Sequence, residues 1–376
     1  MPKKPTRKPE ETRRASSPPR ALTPAAIQTR LQRLDRQLLA MFQERARLTT
    51  KLASLAPVEG SCAEGMTLSE QLAQRLHASE GPLSERCLQG IFREVLSGCQ
   101  SLIRTLKIAF LGPQYSYSHL AALQRFGRSV EFVPVATIAA VFEEVNRGHA
   151  NYGLVPIENS TDGRVADTLD MFTRLPVRVC GEVEMCIHHT LLGKCSRNDV
   201  KEVYSRPQAL SQCRNWLAKH LPHARTIEVT STSTAAQLAL EKPGAAAIAS
   251  LQAGVHYGLD VLAERIEDNP SNTTRFALIG AHSAARTGKD KTVLLFQTEH
   301  RPGALAETLN IFKRGRLNLT WIESFPIPQS SRTYLFFVEF EGHETDARVR
   351  KAVALLQRRT LRLEILGSFP VTQTTD

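Results

Sequence analysis

The chain lacks the long apolar segments of a membrane protein and the cysteine pairs of a disulfide framework. Nothing in it approaches the roughly 18 consecutive apolar residues that span a bilayer. Its seven cysteines are scattered, and none are spaced Cys-x-x-Cys, so we expect reduced thiols rather than disulfides or a zinc site. The first residues are basic and proline-rich and lead into no apolar segment. We therefore expect no secretory signal and a cytoplasmic location.

Positive charge is in excess, because 48 Lys and Arg residues outnumber 37 Asp and Glu residues, giving a formal net charge of +11. Part of this excess lies in residues 1–22, which we expect to form a disordered basic tail. The sequence has no basic stripe interleaved with aromatic residues and no nucleic-acid-binding motif. We therefore predict no nucleic-acid or membrane partner, and we expect attraction for anionic metabolites.

The N-terminal part has helical periodicity. Apolar residues recur at helical spacing over residues 27–55, after an N-cap signal at Thr23. About thirty residues at ~1.5 Å each give a helix of roughly 50 Å. Two shorter helices are expected around residues 68–76 and 83–103. The sequence thus predicts an all-α domain over residues 23–104.

From Lys107 the periodicity changes to short buried strands that alternate with helical segments. Such alternation indicates parallel α/β layers, and an apparent break near Gly181 predicts two lobes facing a cleft. We expect this two-lobed α/β domain over residues 105–284. Residues 290–370 then follow the order βαββαβ, which predicts a separate α+β domain.

Three polar segments of the two-lobed domain are candidates for a binding site. Polar residues at the ends of buried strands lie at the rim of a sheet, where α/β proteins bind ligands. From the residues alone, an exposed strand edge at Thr274 and an Asx-type turn at Asn159 stay open as alternatives. The segments are Leu111-Gly112-Pro113-Gln114-Tyr115-Ser116-Tyr117-Ser118, Leu154-Val155-Pro156-Ile157-Glu158-Asn159-Ser160-Thr161-Asp162-Gly163-Arg164-Val165 and Asn272-Thr273-Thr274-Arg275-Phe276.

These segments and the domain order resemble the bacterial bifunctional chorismate mutase/prephenate dehydratase family. The resemblance implies a multidomain protein with an all-α chorismate-mutase-like domain, a two-lobed α/β periplasmic-binding-protein-like catalytic domain and an α+β ACT domain. It also implies conversion of prephenate to phenylpyruvate, water and carbon dioxide on the route to L-phenylalanine. No metal and no organic cofactor is expected.

The resemblance assigns roles to individual residues. The family's Thr-Arg-Phe motif falls on Thr274, Arg275 and Phe276. Its Glu-Asn pair falls on Glu158 and Asn159. Thr274 is expected to be catalytic together with Glu158 and Asn159, since a threonine hydroxyl can donate a hydrogen bond to departing hydroxide. Arg275 is expected to clamp a substrate carboxylate, and Phe276 to pack at the site. Further expected substrate contacts are Ser116, Ser118, Ser160, Ser205 and Gln212.

One loop residue departs from the family pattern. Relatives usually carry glycine where this chain has Tyr115, so we expect the loop backbone or the pocket size to differ. Ser116 and Ser118 are expected just before a helix that starts near Leu120. Their hydroxyls and the helix amides could bind an anion. The alternative is that Ser118 caps the helix.

The helical domain departs further from the family pattern. Arg45 keeps one arginine of the family's mutase site, but Gln28 stands at the position of another arginine and Ala56 replaces a lysine. Each lost charge-assisted contact is worth ~1.5 to 3 kcal/mol, so transition-state binding should be lost. We predict a vestigial mutase domain kept for dimerisation through its long helix. The assembly is expected to be a homodimer or a homotetramer.

The α+β domain carries a candidate effector site. Gly303, Ala304 and Leu305 match the family's phenylalanine-binding Gly-Ala-Leu segment, where helix amides could take a carboxylate. Glu323, Ser324 and Pro326 keep three of the four positions of the partner motif Glu-Ser-Arg-Pro, but Phe325 replaces its arginine. This replacement puts inhibition by L-phenylalanine in question. A pairing module that binds no ligand is the alternative.

Three other functions stay open at this point. The chain could be a fully bifunctional mutase and dehydratase. It could also dehydrate arogenate, which has an amino group where prephenate has a keto group, and these motifs do not distinguish the two substrates. It could also be a non-catalytic amino-acid-binding regulator. The intact motifs at Glu158-Asn159 and Thr274-Arg275-Phe276 speak against the regulator.

Overall fold

The computed structural model describes residues 23–55, 72, 75–76, 80–326 and 334–371. The expected basic tail and Ala56 lie outside these residues, as does most of the helix expected around residues 68–76. None of the described helices combines the length and the apolar character needed to cross a bilayer.

The helices and strands alternate as the change in periodicity predicted. The helices are α1 (Pro24–Leu55), α2 (Glu85–Ser101), α3 (Tyr117–Phe126), α4 (Ile138–Asn146), α5 (Ala166–Arg174), α6 (Pro207–Gln212), α7 (Arg214–His220), α8 (Thr232–Glu241), α9 (Leu251–Tyr257), α10 (Ala304–Gly315) and α11 (Ala347–Gln357). The strands are β1 (Lys107–Leu111), β2 (Glu131–Val135), β3 (Tyr152–Asn159), β4 (Gly163–Arg164), β5 (Arg178–Cys186), β6 (Thr190–Gly193), β7 (Glu202–Ser205), β8 (Arg225–Glu228), β9 (Ala245–Ala249), β10 (Asp260–Ala263), β11 (Thr273–Gly280), β12 (Asp290–Gln297), β13 (Leu319–Pro326), β14 (Tyr334–Glu341) and β15 (Arg362–Pro370).

Helix α1 confirms the expected long helix. It has 32 residues, which at ~1.5 Å each give roughly 48 Å. The hydroxyl of Thr23 accepts a hydrogen bond from the amide of Ala26 at 3.3 Å, as an N-cap does. None of the residues of α1 is buried, and Ile27 and Leu31 are 44% and 53% exposed. An apolar face of this kind is typical of a helix that pairs with another surface.

The first lobe is built on a mixed sheet with the strand order β2-β1-β3-β11-β5, and the short strand β4 pairs with β3. Strand β1 is parallel to β2 and β3, whereas β11 is antiparallel to β3 and β5. Because β11 follows the second lobe in the sequence, the chain returns to the first lobe through this strand. Strand β11 therefore lies between β3 and β5 of the first lobe.

The second lobe has the strand order β10-β6-β9-β7-β8. The chain enters it after Cys186, where β5 ends. The expected break near Gly181 is wrong, because Gly181 lies inside β5 opposite Leu278, beside an irregularity in the pairing with β11. A glycine within a strand is typical of such a bulge. The glycine signal therefore marked a pairing defect and not the crossing between lobes.

The C-terminal domain has the expected order βαββαβ, with its strands in the order β13-β14-β12-β15. It packs directly on the first lobe, because Phe172 and Val179 share one hydrophobic cluster with Phe337 and Leu366. At Gly367 the backbones come so close that an added Cβ would lie 2.1 Å from the carbonyl oxygen of Val179. This close packing fixes the C-terminal sheet against β5.

Candidate active site

The pairing of β11 with β3 separates the predicted catalytic residues into two groups. Thr274 lies opposite Asn159, and Arg275 lies opposite Glu158. Successive side chains of a strand point to opposite faces of the sheet. Thr274 and Asn159 therefore share one face, and Arg275 and Glu158 share the other.

Asn159 connects Thr274 to a polar turn. Its Nδ2 donates to Oγ1 of Thr274 at 2.8 Å and to Oδ1 of Asn272 at 3.0 Å. Its Oδ1 accepts the amides of Thr161 at 2.9 Å and Asp162 at 3.0 Å. Asn159 thus forms the Asx-type turn that was considered for it, and its side chain also contacts Thr274. Both side chains are buried, Asn159 at 7% and Thr274 at 9% exposure.

The second lobe extends this polar face through Gln212. Its Oε1 accepts from Nδ2 of Asn272 at 3.0 Å and lies 2.9 Å from Nε2 of His189. Its Nε2 donates to a carboxylate oxygen of Asp162 at 2.8 Å, and Gln208 donates to the same oxygen. The expected contact residue Gln212 therefore joins the Thr274 side of the sheet. Asp162, Asn272 and Gln208 were not predicted, although the first two lie within or beside the polar segments.

A buried histidine and tyrosine complete the network. Nδ1 of His189 lies 3.1 Å from the hydroxyl of Tyr117, which donates to the carbonyl of His188 at 2.8 Å. Burial lowers the pKa of His189 and raises the pKa of Tyr117. Both groups are therefore neutral near pH 7. The carboxylate of Glu267 accepts the amide of His189 at 2.9 Å, which fixes the histidine backbone.

The loop before α3 contacts the second lobe through its backbone. Ser233 donates to the carbonyl of Gln114 at 3.0 Å, and Ser250 donates to the carbonyl of Tyr115 at 3.1 Å. Tyr115 has a φ of 64°, in the left-handed region that favours glycine. The tyrosine therefore adopts the backbone conformation that the family's glycine allows.

Helix α3 begins at Tyr117, earlier than expected, and its N-cap is Ser116. The hydroxyl of Ser116 accepts the amide of His119 at 3.4 Å and donates to the carbonyl of Leu111 at 3.0 Å. The expected cap, Ser118, instead lies buried in the first turn. Ser116 is thus engaged by local backbone, which accounts for its position without a ligand.

Three other predicted contact residues are held by the protein itself. The hydroxyl of Ser160 accepts the amide of Thr273 at 2.9 Å and fixes the ends of β3 and β11. Ser205 is fully buried, and its hydroxyl donates to the carbonyl of Ile248 at 2.7 Å. Phe276 is 2% exposed and packs in the core of the first lobe. These residues support the site rather than contact Thr274.

Arg275 lies in a buried group of charges on the other face of the sheet. Its guanidinium donates to Glu158 at 3.0 Å and to Glu182 at 3.0 Å. It also donates to Glu339 of the C-terminal domain at 2.7 Å. Lys291 donates to Glu182 at 3.0 Å and lies 3.3 Å from Glu339. We call these five residues the Arg275 cluster.

The surroundings of Arg275 favour its charged form. Burial alone would lower the pKa of Arg275, but the carboxylates of Glu339 and Glu182 raise it above its usual value. The guanidinium also lies 5.6 Å from the ring centroid of Trp321, a cation–π distance. The expected substrate clamp and its neighbour Glu158 are thus engaged between the first lobe and the C-terminal domain, away from Thr274.

The predicted effector segment lies at a cavity. Gly303 is the N-cap of α10 and has a φ of 85°, a conformation that suits glycine. The cavity has a volume of about 400 Å³, within the range of small-molecule sites. Its walls are Thr298, Glu299, His300, Arg301, Pro302, Ala304, Leu305, Tyr334 and Phe336.

Glu323 and Ser324, predicted to act with this segment, lie on β13. Nη1 of Arg164 donates to a carboxylate oxygen of Glu323 at 2.9 Å and to the carbonyl of Ser324 at 2.8 Å. Ser324 is paired across the strands with Phe336 of the cavity wall. The Glu323-Ser324 part of the effector motif therefore lies beside β14, and β14 contributes Phe336 to the cavity that Ala304 and Leu305 also line.

The residues predicted for the mutase site lie on α1 or outside the described residues. Gln28 is exposed and Arg45 is half-buried, and they are roughly 25 Å apart along the helix axis at ~1.5 Å per residue. A single small substrate therefore cannot contact both residues of one helix. Among the residues that the structure describes, no group of His, Cys, Asp or Glu residues has the arrangement of a metal site.

Comparison with known proteins identifies the family that the chain resembles. The family model for prephenate dehydratase matches residues 108–284. The bifunctional chorismate mutase/prephenate dehydratase of Aquifex aeolicus is 39% identical over 350 residues, which cover 92% of this chain and 97% of that protein. The structure resembles that of Arthrobacter aurescens prephenate dehydratase in complex with L-Phe, with a TM-score of 0.67, 35% identity and coverage of 71% of this chain and 90% of that one. It also resembles GqqA, described as a quorum quenching acylase, with a TM-score of 0.64, 28% identity and coverage of 71% and 98%.

Glu339→Gln tests the Arg275 cluster. Burial alone would raise the pKa of Glu339, but Arg275 and Lys291 hold it below its ordinary value of 4.5. The carboxylate therefore contributes stability above its unfolded pKa, and this contribution is lost as the pH falls through the lower folded pKa. We expect the variant to lose about 3 kcal/mol of unfolding free energy at pH 7. Its stability should also fall less steeply than that of the parent below about pH 4.5. Urea unfolding followed by circular dichroism measures both.

The matched control is Glu341→Gln on the same strand. Glu341 is exposed and contacts Asn318 at 3.1 Å, so its replacement should change the unfolding free energy by no more than about 0.5 kcal/mol. Equal effects of the two variants would contradict a stabilising role for the cluster.

Proposed function

The chain belongs to the family of bifunctional chorismate mutase/prephenate dehydratases, and we propose that Thr274 and Asn159 form the centre at which it dehydrates prephenate. The reaction yields phenylpyruvate, carbon dioxide and water for L-phenylalanine synthesis. The observation that carries the assignment of the centre is the buried hydrogen bond of 2.8 Å from Nδ2 of Asn159 to Oγ1 of Thr274.

The chemistry of prephenate defines what the site must supply. The bond from the ring to its carboxylate breaks, and the electron pair moves into the ring. The carbon–oxygen bond of the ring hydroxyl breaks at the same time, so that hydroxide leaves and the ring becomes aromatic. The leaving oxygen needs a hydrogen-bond donor, and the two carboxylates need fixed donors in a site that excludes water.

Thr274 has the geometry of the donor to the leaving oxygen. Because its Oγ1 accepts from Asn159, its own proton is directed elsewhere and can be donated to the substrate hydroxyl. A threonine hydroxyl is too weak an acid to be ionised, yet it stabilises a developing hydroxide when it is held in place and shielded from water. Asn159 orients this hydroxyl, and Asn272 orients Asn159.

Neutral carboxamides are suited to hold a substrate carboxylate. The side chains of Gln208 and Gln212 converge on a single carboxylate oxygen of Asp162. This convergence supports the proposal that the Gln208 and Gln212 carboxamides form a donor pair that fits an oxygen of a substrate carboxylate. We assign the charged group Arg275 to a different task, since it fixes the strand that carries Thr274 by its contacts with Glu158 and Glu339.

Thr274→Ala is the direct test of the centre. Removing the donor should lower kcat for prephenate by about 10² to 10⁴-fold, while the circular dichroism spectrum stays that of the parent. Thr274→Ser keeps a hydroxyl and should retain most of the activity. Phenylpyruvate formation, followed by absorbance, measures each rate. A kcat of Thr274→Ala within about threefold of the parent value would show that Thr274 takes no part in the chemistry.

We also propose that α1 serves dimerisation and that the mutase site is vestigial. The apolar residues of α1, among them Ile27 and Leu31, are exposed. The lysine position of the family site is occupied by Ala56 and an arginine position by Gln28. A homodimer would cover the apolar face of α1. With two of its cations replaced, the mutase site has too few to bind a dicarboxylate transition state.

Chorismate distinguishes a vestigial mutase from a working one. We expect purified protein to form no prephenate from chorismate above the uncatalysed rate, while the same preparation turns over prephenate. Gln28→Arg together with Ala56→Lys returns two cations and serves as the comparison variant. Measurable isomerisation of chorismate by the parent chain would overturn the vestigial assignment.

We further propose that L-phenylalanine binds the cavity beside Ala304 and Leu305 as an effector. The backbone amides at the start of α10 can take its carboxylate, and the apolar walls formed by Leu305 and Phe336 suit an aromatic side chain. The L-Phe complex of the Arthrobacter aurescens relative supports this ligand.

Calorimetric titration with L-phenylalanine tests the cavity. Leu305→Glu puts a charged carboxylate into the apolar wall that faces the aromatic ring and should raise Kd by about tenfold or more. Leu305→Met keeps an apolar side chain of similar size and should leave Kd within about threefold. A Kd that is the same in both variants and the parent would place the ligand elsewhere.

A further inference from the structure

Arg164 lies on the same hairpin as Asn159. Strand β4 pairs with the end of β3, so that Arg164 is opposite Glu158 and Gly163 is opposite Asn159. The turn between the strands is held by Oδ1 of Asn159, which accepts the amides of Thr161 and Asp162. We call residues 158–164 the active-site hairpin. Any displacement of its β4 side is transmitted through this turn to Asn159.

The β4 side of the hairpin is attached to the C-terminal domain through Arg164. Its Nη1 donates to Oε2 of Glu323 at 2.9 Å and to the carbonyl of Ser324 at 2.8 Å. The side chains of Arg164 and Glu323 are 38% and 28% exposed. An ion pair this exposed contributes little to global stability. Its effect is therefore expected on the position of the hairpin rather than on folding.

The β3 side of the same hairpin is attached separately. Glu158 accepts from Arg275 at 3.0 Å, and Arg275 donates in turn to Glu339 of the C-terminal domain. The hairpin is thus held to the C-terminal domain by a buried contact on one strand and by the Arg164 contact on the other. Without the Arg164 contact, the β4 strand would lose its attachment to β13, and the turn would be left with its contacts to β11 and the second lobe.

We propose that Arg164 is a positioning residue for the dehydration. Through its contacts with Glu323 and Ser324, Arg164 holds the active-site hairpin so that Asn159 contacts Thr274. The inference rests on the proposed role of Asn159 and Thr274. Small displacements of a group that orients a reacting atom lower the rate strongly. Substrate binding should change little, because Arg164 contacts β13 and not the carboxamides of the second lobe.

Steady-state kinetics with prephenate tests the role of Arg164. Arg164→Ala should lower kcat by about three- to tenfold and leave KM within about twofold. Arg164→Lys should restore kcat to within about twofold, because an ammonium group can donate to the same two oxygens. The matched control is Arg174→Ala, since Arg174 forms an exposed ion pair with Asp170 at 2.6 Å in the same lobe. This control should behave as the parent, and melting temperatures should show that all variants are folded.

Double variants separate positioning from a general structural effect. Combining Arg164→Ala with Glu323→Gln should lower kcat no further than Arg164→Ala alone, because both remove one contact. In an Asn159→Ala background, Arg164→Ala should have no additional effect, since the residue it positions is absent. Additive losses in either pair would overturn the inference.

The outcome also distinguishes this inference from the proposed function. If Asn159→Ala is slow but Arg164→Ala turns over prephenate as the parent does, the centre stands and the role of Arg164 is wrong. The same conclusion follows if Arg164→Lys is as slow as Arg164→Ala. If Asn159→Ala is as active as the parent, the proposed centre is wrong, and the inference about Arg164 fails with it.

Discussion

Arg275 joins the catalytic sheet to the C-terminal domain through carboxylates on three different strands, Glu158 on β3, Glu182 on β5 and Glu339 on β14. Burying charges costs solvation, and only directed hydrogen bonds and opposite charges offset that cost. Lys291 supplies the second cation of the cluster. Because such contacts tolerate little displacement, the cluster fixes the mutual position of the strands that carry the active site.

Because side chains alternate along β3 and β11, the Arg275 cluster and the proposed centre lie on opposite faces of the same two strands. Glu158 and Arg275 face the C-terminal domain, while their sequence neighbours Asn159 and Thr274 face the polar network that reaches Gln212. A rigid contact on one face therefore orients reacting groups on the other. In the proposed centre, the charged residues of the motif act in positioning, and the neutral donors act on the substrate.

The C-terminal domain contacts the active-site hairpin through β13, which pairs with β14, and β14 lines the candidate effector cavity. Ser324 of β13 accepts from Arg164 and is paired with Phe336 of the cavity wall. A ligand that shifts β14 would therefore act on a strand that holds the hairpin. The guanidinium at Glu323 comes from Arg164, whereas β13 itself has Phe325 at the position of the motif's arginine.

The long helix α1, the α/β alternation and the order βαββαβ could be predicted from the spacing of apolar residues, because burial imposes a fixed period on them. The polar motifs contain Asn159 and Thr274, and the pairing of β3 with β11 brings these two residues together. The direction in which Arg275 and Glu158 face depends on the packing of the C-terminal domain, because a strand motif does not state which of its faces meets another domain. The contributions of Asp162, Gln208 and Arg164 likewise depend on residues far apart in the chain, whose proximity arises from strand pairing and from the packing of the C-terminal domain.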